Sequence, residues 1–177
     1  MVRHRLQPHP AAPPKAVREV SCLVAWRGPG RWRLEFEVED PSGALRLPEP
    51  TAPSRADELW KTTCFELFLR RVGQESYTEF NLSPSGEWAA YRFEGYRQGM
   101  ANLDVAEASI ESPVRAGDAW RIRASLDSAA FEGLGPGLAS LSAVIEERDG
   151  TRSYWALAHP SDKPDFHHPD SFVLELA

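Results

Sequence analysis

An alternation of apolar and charged residues with a period of two most constrains what this chain can fold into. The clearest run is RWRLEFEVE at 31–39, where every second residue is apolar and those between are Arg or Glu. Successive side chains of a β-strand point to opposite faces, so the run predicts a strand with one buried and one wet face. Related runs occur at 20–26, 65–69, 80–82, 89–93, 120–126, 138–146, 153–157 and 172–176. The sequence therefore predicts many short strands.

The segments between these runs carry turn-forming residues. Examples are RGPGR at 27–31, SPSGE at 83–87 and RDGT at 148–151, which suit hairpins and tight loops. The one helical turn that the pattern suggests lies at 127–132. Short strands joined by such turns, with no helices between them, are typical of an all-β, antiparallel β-sandwich, here expected to be jelly-roll-like.

Length and composition favour a single folded domain after a short arm. The chain has 177 residues, 42% of them hydrophobic and 26% charged, which is average for a globular protein. Residues 1–16 are rich in Pro and His and show no periodicity. We therefore expect a flexible N-terminal arm at 1–16 and one β-sandwich domain at 17–177.

Charge and hydropathy argue against two classes of partner. The formal net charge is −6, with both signs interleaved, so the basic surface of a nucleic-acid or anionic-membrane binder is not expected. No run approaches about 18 apolar residues, and the start lacks the apolar stretch of a signal peptide, which predicts a cytoplasmic protein. Cys22 and Cys64 lack the spacing of a zinc or redox motif and are expected to be free, buried thiols.

Three predicted strands carry polar side chains opposite their core residues. With Phe65 in the core, Glu66 points the other way. By the same logic Glu79 and Asn81 oppose the core residues of the next strand, and Arg92 opposes Tyr91 and Phe93 in the third. Adjacent strands would bring the carboxylates, the amide and the guanidinium onto one surface.

Aromatic residues flank this predicted surface. Trp60 precedes the first of the three strands and Trp155 lies in a later one. A sugar site needs such a mixture, because aromatic rings cover the apolar face of the sugar while carboxylates, amides and Arg bind its hydroxyls. The alternative is that the tryptophans pack in the core and the polar residues pair across a solvated sheet face. The predicted ligand-binding residues are Trp60, Glu66, Asn81, Arg92 and Trp155.

Three segments resemble the DOMON-like family, a bacterial group related to the family-nine carbohydrate-binding modules. They are DELWKTTCFELFLRR at 57–71, YTEFNLSPSGEWAAYRFEGYR at 77–97 and SYWALAHPSDKPDFHHPDSFVLEL at 153–176. The resemblance implies a β-sandwich with a ligand cleft on its concave face, for a sugar or, in some branches, haem. Its most specific pieces are the spacing of Trp60 to Glu66 and the YTEFNLSPSGEW block.

The sugar-binding relatives hold the ring between two tryptophans, while a Glu, an Arg and amides bind the hydroxyls. Trp60 and Glu66 match that motif, whereas Arg92, Asn81 and Trp155 match by region and strand only. A ligand-binding module for a carbohydrate or similar small polar molecule, with no catalytic group or cofactor of its own, is therefore the first prediction.

Two other functions and a metal site remain open. Glu66 and Glu79 could form the carboxylate pair of a carbohydrate-active enzyme. A haem module would need an axial pair such as Met100 with a histidine, although no C-x-x-C-H motif is present. The segment 159–170 is rich in His and Asp, but its prolines favour a stiff loop whose polar groups bond the backbone over a metal site.

Overall fold

The computed structural model describes residues 2–28, 30–105, 107–127 and 137–176. The helical turn expected at 127–132 lies outside these residues, except for Asp127. No α-helix occurs in the described ranges, and none of their helical turns is long and apolar enough to cross a membrane. The all-β, antiparallel prediction is confirmed.

The described residues form thirteen strands and two short 3₁₀ turns. The strands are β1 (Arg3–Pro8), β2 (Glu19–Trp26), β3 (Arg31–Glu39), β4 (Cys64–Arg71), β5 (Tyr77–Leu82), β6 (Trp88–Phe93), β7 (Ala101–Asn102), β8 (Glu107–Ile110), β9 (Val114–Ala116), β10 (Ala119–Asp127), β11 (Gly137–Glu146), β12 (Arg152–Ala156) and β13 (Leu174–Leu176). The 3₁₀ turns are Leu59–Lys61 and Pro169–Ser171.

The strands are hydrogen-bonded in one continuous order, β7-β6-β5-β4-β11-β12-β1-β2-β3-β10-β8, with β13 beside β11 and β9 beside β10. Strand β1 joins two parts of this order. Residues 3–6 pair with β2, and Gln7 and Pro8 pair with β12. We call β4–β7, β11 and β12 the β4 half, and β2, β3 and β8–β10 the β3 half.

The main hydrophobic core contains side chains from both halves. In β3 every second residue is buried, as the alternation predicts. Phe36 of this strand packs on Phe65 of β4, with 4.7 Å between ring centroids, and both belong to one buried cluster. The apolar face of the β3 half therefore packs on one face of the β4 half.

Strand β4 is buried on both faces over its first six residues. Phe65, Leu67 and Leu69 lie in the main core. Glu66 and Phe68 point the other way, and Phe68 belongs to a second apolar cluster. That cluster comprises Leu59, Cys64, Phe68, Tyr77, Ala89, Tyr91, Phe93 and Phe172. Cys22 and Cys64 are both buried free thiols, as expected.

The expected orientation of β6 is wrong. We expected Tyr91 and Phe93 in the main core, but both lie in the second cluster. Ala90 is in the main core, and Trp88 packs against it. Both faces of this strand carry apolar residues, so alternation alone does not say which face is inward. Pairing with β5, which places Ala90 beside Phe80, decides it.

Residues 1–16 differ from the flexible arm that we expected, because they contain β1. Leu6 is fully buried in the main core. Further along, the buried Glu147 carboxylate accepts backbone N–H bonds from Lys15 at 2.9 Å and Ala16 at 3.0 Å. The segment has only one core side chain and is held mainly by backbone hydrogen bonds, which leave no hydrophobic period in the sequence.

We expect Leu6→Ala to lower the free energy of unfolding by about 2–5 kcal/mol, because it leaves a cavity in the core. Val2→Ala, at an exposed position just before β1, should change it by no more than about 0.5 kcal/mol. Urea unfolding of both variants measures the difference. Equal, negligible effects would show that β1 is not part of the folded core.

Candidate functional site

A cavity of about 770 Å³ opens on the face of the β4 half that carries the second cluster. This size is within the usual range for small-molecule sites. Its floor is formed by side chains from five neighbouring strands, namely Glu66, Glu79, Tyr91, Val144 and Tyr154. Its walls come from the segments before β4, after β6 and after β12. The cleft thus combines a rigid floor with walls made of loops.

The centre of the floor holds two buried carboxylates. Glu66 is 3% exposed and Glu79 is 6% exposed. In the β4–β5 register Glu66 lies opposite Asn81 and Glu79 lies opposite Phe68, so the two acids are diagonal neighbours on one face. Ser142 of β11 donates a hydrogen bond to Glu66 at 3.1 Å. Within the described ranges, neither carboxylate forms an ion pair with Arg or Lys.

Burial and mutual repulsion change the acidity of this pair. Burial raises the pKa of Glu66 well above its ordinary value, the charge of Glu79 raises it further, and the Ser142 hydrogen bond opposes both effects. Burial raises the pKa of Glu79 to about 7, against the influence of Asn81 and Arg97. The pair therefore retains at least one proton at neutral pH.

Asn81 is an unsatisfied amide on the same face. It is 1% exposed, and neither polar atom of its side chain has a partner with good hydrogen-bond geometry among the described residues. The amide is nevertheless near enough to Glu79 to favour its ionised form. An amide that is buried without partners is costly, so Asn81 is a group that a ligand could satisfy.

His167 approaches the pair from the loop that precedes β13. Its Nδ1 lies 2.7 Å from the hydroxyl of Tyr77, and that hydroxyl accepts the backbone N–H of Arg97 at 3.2 Å. Burial raises the pKa of Tyr77 to about 12, so its hydroxyl is protonated and donates to Nδ1. The network therefore assigns the ring proton to Nε2, on the side of Glu79.

The contact between His167 and Glu79 is not an ion pair at neutral pH. Nε2 lies 3.8 Å from the nearer carboxylate oxygen. Burial first, and Arg97 second, lower the pKa of His167 to about 4, while Asp165 acts in the opposite direction. The ring is thus uncharged near pH 7 and leaves the charge of Glu79 unneutralised.

One wall of the cavity is fixed by Asp165. Its carboxylate accepts hydrogen bonds from the Tyr96 hydroxyl and from Arg97, the latter at 2.8 Å. Burial works against ionisation here, but these two donors lower the pKa of Asp165. Arg97 is therefore engaged by a carboxylate outside the central pair.

Trp60 lies on the wall before β4 and is 50% exposed. It belongs to the 3₁₀ turn Leu59–Lys61, and Lys61 Nζ lies 5.9 Å from its ring centroid. Much of the indole is free to contact a ligand. Met100 lies on the wall after β6 and is likewise exposed.

The five predicted ligand-binding residues do not all reach this cavity. Trp60 and Glu66 line it, and Asn81 lies on its face opposite Glu66. Arg92 is exposed beside a separate cavity of about 310 Å³. Trp155 is 2% exposed in the main core, where its indole N–H donates to Ser153 at 2.8 Å. The preceding residue, Tyr154, points to the opposite face of the strand and lines the cavity instead.

Several lining residues were not predicted as ligand contacts. Arg97, Tyr154 and His167 line the cavity. The only signal for His167 is its place in the segment 159–170, whose other two histidines bond the backbone. His159 Nε2 donates to the Gln7 carbonyl at 2.8 Å, and His168 Nδ1 accepts from the Asp170 N–H at 3.2 Å. No group of three or more potential metal ligands occurs in the described part of the chain.

Comparison with solved structures shows a shared fold. A proposed carbohydrate-binding protein from Bacteroides uniformis superposes with a TM-score of 0.69 at 16% identity, over 97% of this chain and 84% of that one. A family-nine carbohydrate-binding module from Caldicellulosiruptor kristjanssonii, in complex with cellotriose, gives 0.57 at 11% identity over 97% and 80%. Such a module in complex with glucose gives 0.54 at 12% identity over 89% and 74%.

No protein-family model and no curated protein matches the sequence. At identities of 11–16% the structural likeness supports the fold alone.

Glu79 should make stability depend on pH. Between about pH 5 and 7 the folded protein holds a proton on Glu79 that the unfolded chain has lost, so the free energy of unfolding falls as pH rises. Across this window the free energy of unfolding of the wild type should fall by up to about 3 kcal/mol more than that of Glu79→Gln. Urea titrations at pH 5, 6, 7 and 8 measure it.

Glu175→Gln, at an exposed position in β13, is the matched control and should follow the wild type. If the wild type and Glu79→Gln gave parallel curves at all four pH values, the Glu79 carboxyl would have an ordinary acidity.

Proposed function

We propose that this protein is a ligand-binding module for a carbohydrate or similar small polar molecule, built as a jelly-roll-like β-sandwich of the DOMON-like type. The observation that carries the proposal is the composition of the cavity. A half-exposed indole, Trp60, forms part of its wall, and buried acceptors without a full set of partners, Glu66, Glu79 and Asn81, form or adjoin its floor.

This arrangement suits a ligand with one apolar face and several hydroxyls. An aromatic ring covers the C–H face of a sugar, and carboxylate and amide oxygens accept hydrogen bonds from its hydroxyl groups. The floor lies on paired strands, which hold its side chains more rigidly than loops would. Pre-organised acceptors lower the ordering cost of binding.

The shared fold supports the proposal. Two of the superposed structures are family-nine modules in complex with glucose and cellotriose. Fold alone does not transfer a function, so the proposal rests on the cavity of this chain, and Trp60 and Glu66 provide its direct contacts.

Glycoside hydrolysis is a second candidate, favoured by the carboxylate pair. Burial raises the pKa of Glu66 well above its ordinary value and the pKa of Glu79 to about 7. A protonated acid beside an ionised one is the combination that glycosidases use. Binding is placed first because the cavity also has the half-exposed indole of Trp60, and the unsatisfied amide of Asn81 lies beside it, features that contact a bound sugar and that acid catalysis does not require.

Haem does not fit the residues present. Met100 and His167 both line the cavity, as an axial pair would need to. His167, however, has its Nδ1 engaged by the Tyr77 hydroxyl and its Nε2 directed at Glu79, so neither ring nitrogen is placed to bind an iron in the cavity.

We expect Trp60→Ala to weaken binding of glucose or cellotriose at least tenfold, because the lost ring contact is worth about 1.4 kcal/mol or more. Its melting temperature should stay close to that of the wild type, because the side chain is half exposed. Calorimetric titrations and thermal melts measure the two effects.

Trp155→Ala is the matched control, since its indole lies on the opposite face of the same half. It should lower the free energy of unfolding by about 3–5 kcal/mol. A Trp60→Ala protein that melted as early as Trp155→Ala would place Trp60 in the core and contradict the proposed site.

The two candidate functions separate in an assay of product release. A binding module should release no reducing ends from a panel of β-linked and α-linked oligosaccharides. A glycosidase would release them, and Glu66→Gln would reduce the rate by a factor of about 10²–10⁴, as expected for loss of a general acid. Wild-type turnover abolished in Glu66→Gln would replace binding by hydrolysis as the function.

A further inference from the structure

The charges around the cavity are mostly paired, apart from the two on its floor. Asp57 accepts the Tyr91 hydroxyl at 2.5 Å, and Glu58 pairs with Lys61 at 2.6 Å. Arg97 is engaged by Asp165 at 2.8 Å. Among the charged residues that the structure describes at the cavity, Asp57, Glu66 and Glu79 have no ion pair with Arg or Lys, and of these Asp57 is exposed whereas Glu66 and Glu79 are buried.

A cation from outside the chain would complete this group. Two buried carboxylates side by side repel each other, and each loses hydration. His167 contributes no charge near pH 7. Asn81 adds an independent observation, because its carbonyl oxygen is buried, lies on the face of the two acids and has no partner of good geometry among the described residues.

We propose that the ligand is an amino sugar, with its protonated amine bound by Glu66, Glu79 and Asn81. The inference rests on the proposed function and names the class of sugar. An ammonium group has three donors and no acceptor, and this face offers three acceptors: the two carboxylates of the floor and the buried amide oxygen of Asn81 beside them. The remaining hydroxyls and the C–H face of the ring contact the walls, where Trp60 lies.

Neutral sugars and acetylated amino sugars complement this floor less well. A hydroxyl donates one hydrogen bond and brings no charge, so it supplies no counter-charge to the two buried acids. An N-acetyl group offers one N–H and adds a carbonyl, whose oxygen would face carboxylate oxygens. The unmodified amine is therefore the preferred substituent.

A bound ammonium group favours the ionised form of both carboxylates. The free protein holds at least one proton on the pair at neutral pH, so ligand binding should release a proton. The other titratable or charged groups that line the cavity are Asp57, Glu58, Tyr91, Arg97, Tyr154 and His167, and Cys64, Tyr77 and Asp165 lie next to them. Among these, Arg97 and Asp165 neutralise each other. The proton released on ligand binding should therefore come mainly from Glu66 and Glu79.

Calorimetric titration tests this directly with glucosamine, glucose and N-acetylglucosamine at pH 7. Glucosamine should bind at least tenfold more tightly than the other two, since a hydrogen-bonded charge pair is worth that factor or more. Titrations repeated in two buffers with different ionisation enthalpies should show proton release on glucosamine binding and little on glucose binding.

Variants assign the preference to the two acids. Glu66→Gln and Glu79→Gln should each reduce the preference for glucosamine over glucose to less than about threefold. Each Gln keeps the shape of the side chain and removes a buried charge, so thermal melts should show folded proteins. Glu175→Gln, an exposed carboxylate outside the cavity, should keep the wild-type preference.

The outcomes separate this inference from the proposed function. If glucose and glucosamine bound equally, the amino-sugar inference would be overturned and sugar binding would stand. If n-propylamine bound as tightly as glucosamine, the sugar part of both proposals would be overturned. If none of the sugars bound at millimolar concentration, both proposals would be wrong.

Discussion

Strand β4 is buried on both faces, and the rest of the structure depends on how each face is covered. The β3 half covers one face completely, with Phe36 packed on Phe65. The other face is covered at one end, where His167 and Phe172 pack on Phe68. Over Glu66 the cover stops, and the cavity begins there. The candidate site is thus the part of a doubly buried sheet that the chain leaves open.

Two fully buried acids elsewhere in the protein show what is unusual about the floor. Asp40 accepts backbone N–H bonds from Ala44 at 2.8 Å and Leu45 at 3.0 Å, and Glu147 is bonded in the same way by the segment before β2. Both acids are therefore part of the fold itself. Glu66 instead accepts a hydrogen bond from the Ser142 hydroxyl. A buried carboxylate with so few donors is characteristic of functional sites.

Partly exposed acids of the β3 half behave in the opposite way. A hydrogen bond from Arg123 lowers the pKa of Glu35, with burial opposing it, and the pair is 2.6 Å apart on the outer face of the sheet. The same type of side chain is thus stabilised as an anion on one sheet surface and destabilised as an anion on another. Charge balance, more than residue type, distinguishes the two surfaces.

Sequence alone predicted the all-β class and the faces of β3 and β4, because in β3 apolar and charged residues alternate strictly. It correctly placed Glu66 on the face opposite the main core. It failed for β6, and it did not identify Tyr154 in place of Trp155, because those strands carry large apolar or aromatic residues on both faces. Only pairing with a neighbouring strand decides which aromatic faces the cavity.

The walls of the site were harder to predict than its floor. Arg97 adopts a left-handed backbone conformation, with φ 55°, that is uncommon outside glycine. It is held there by tertiary hydrogen bonds, to Tyr77 and Asp165. Such bonds join residues about 20 and about 70 positions apart, and no local pattern encodes them.

The position of β1 between the two halves also affects how the chain assembles. Gln7 pairs with Ala156, which lies about 150 residues later. Contacts of such long range form slowly, because a large loop must close before they stabilise the chain. During synthesis on the ribosome, β1 emerges long before β12 and must wait for it before both of its edges are paired. Until then part of its backbone is an open edge, available to chaperones or to a neighbouring chain.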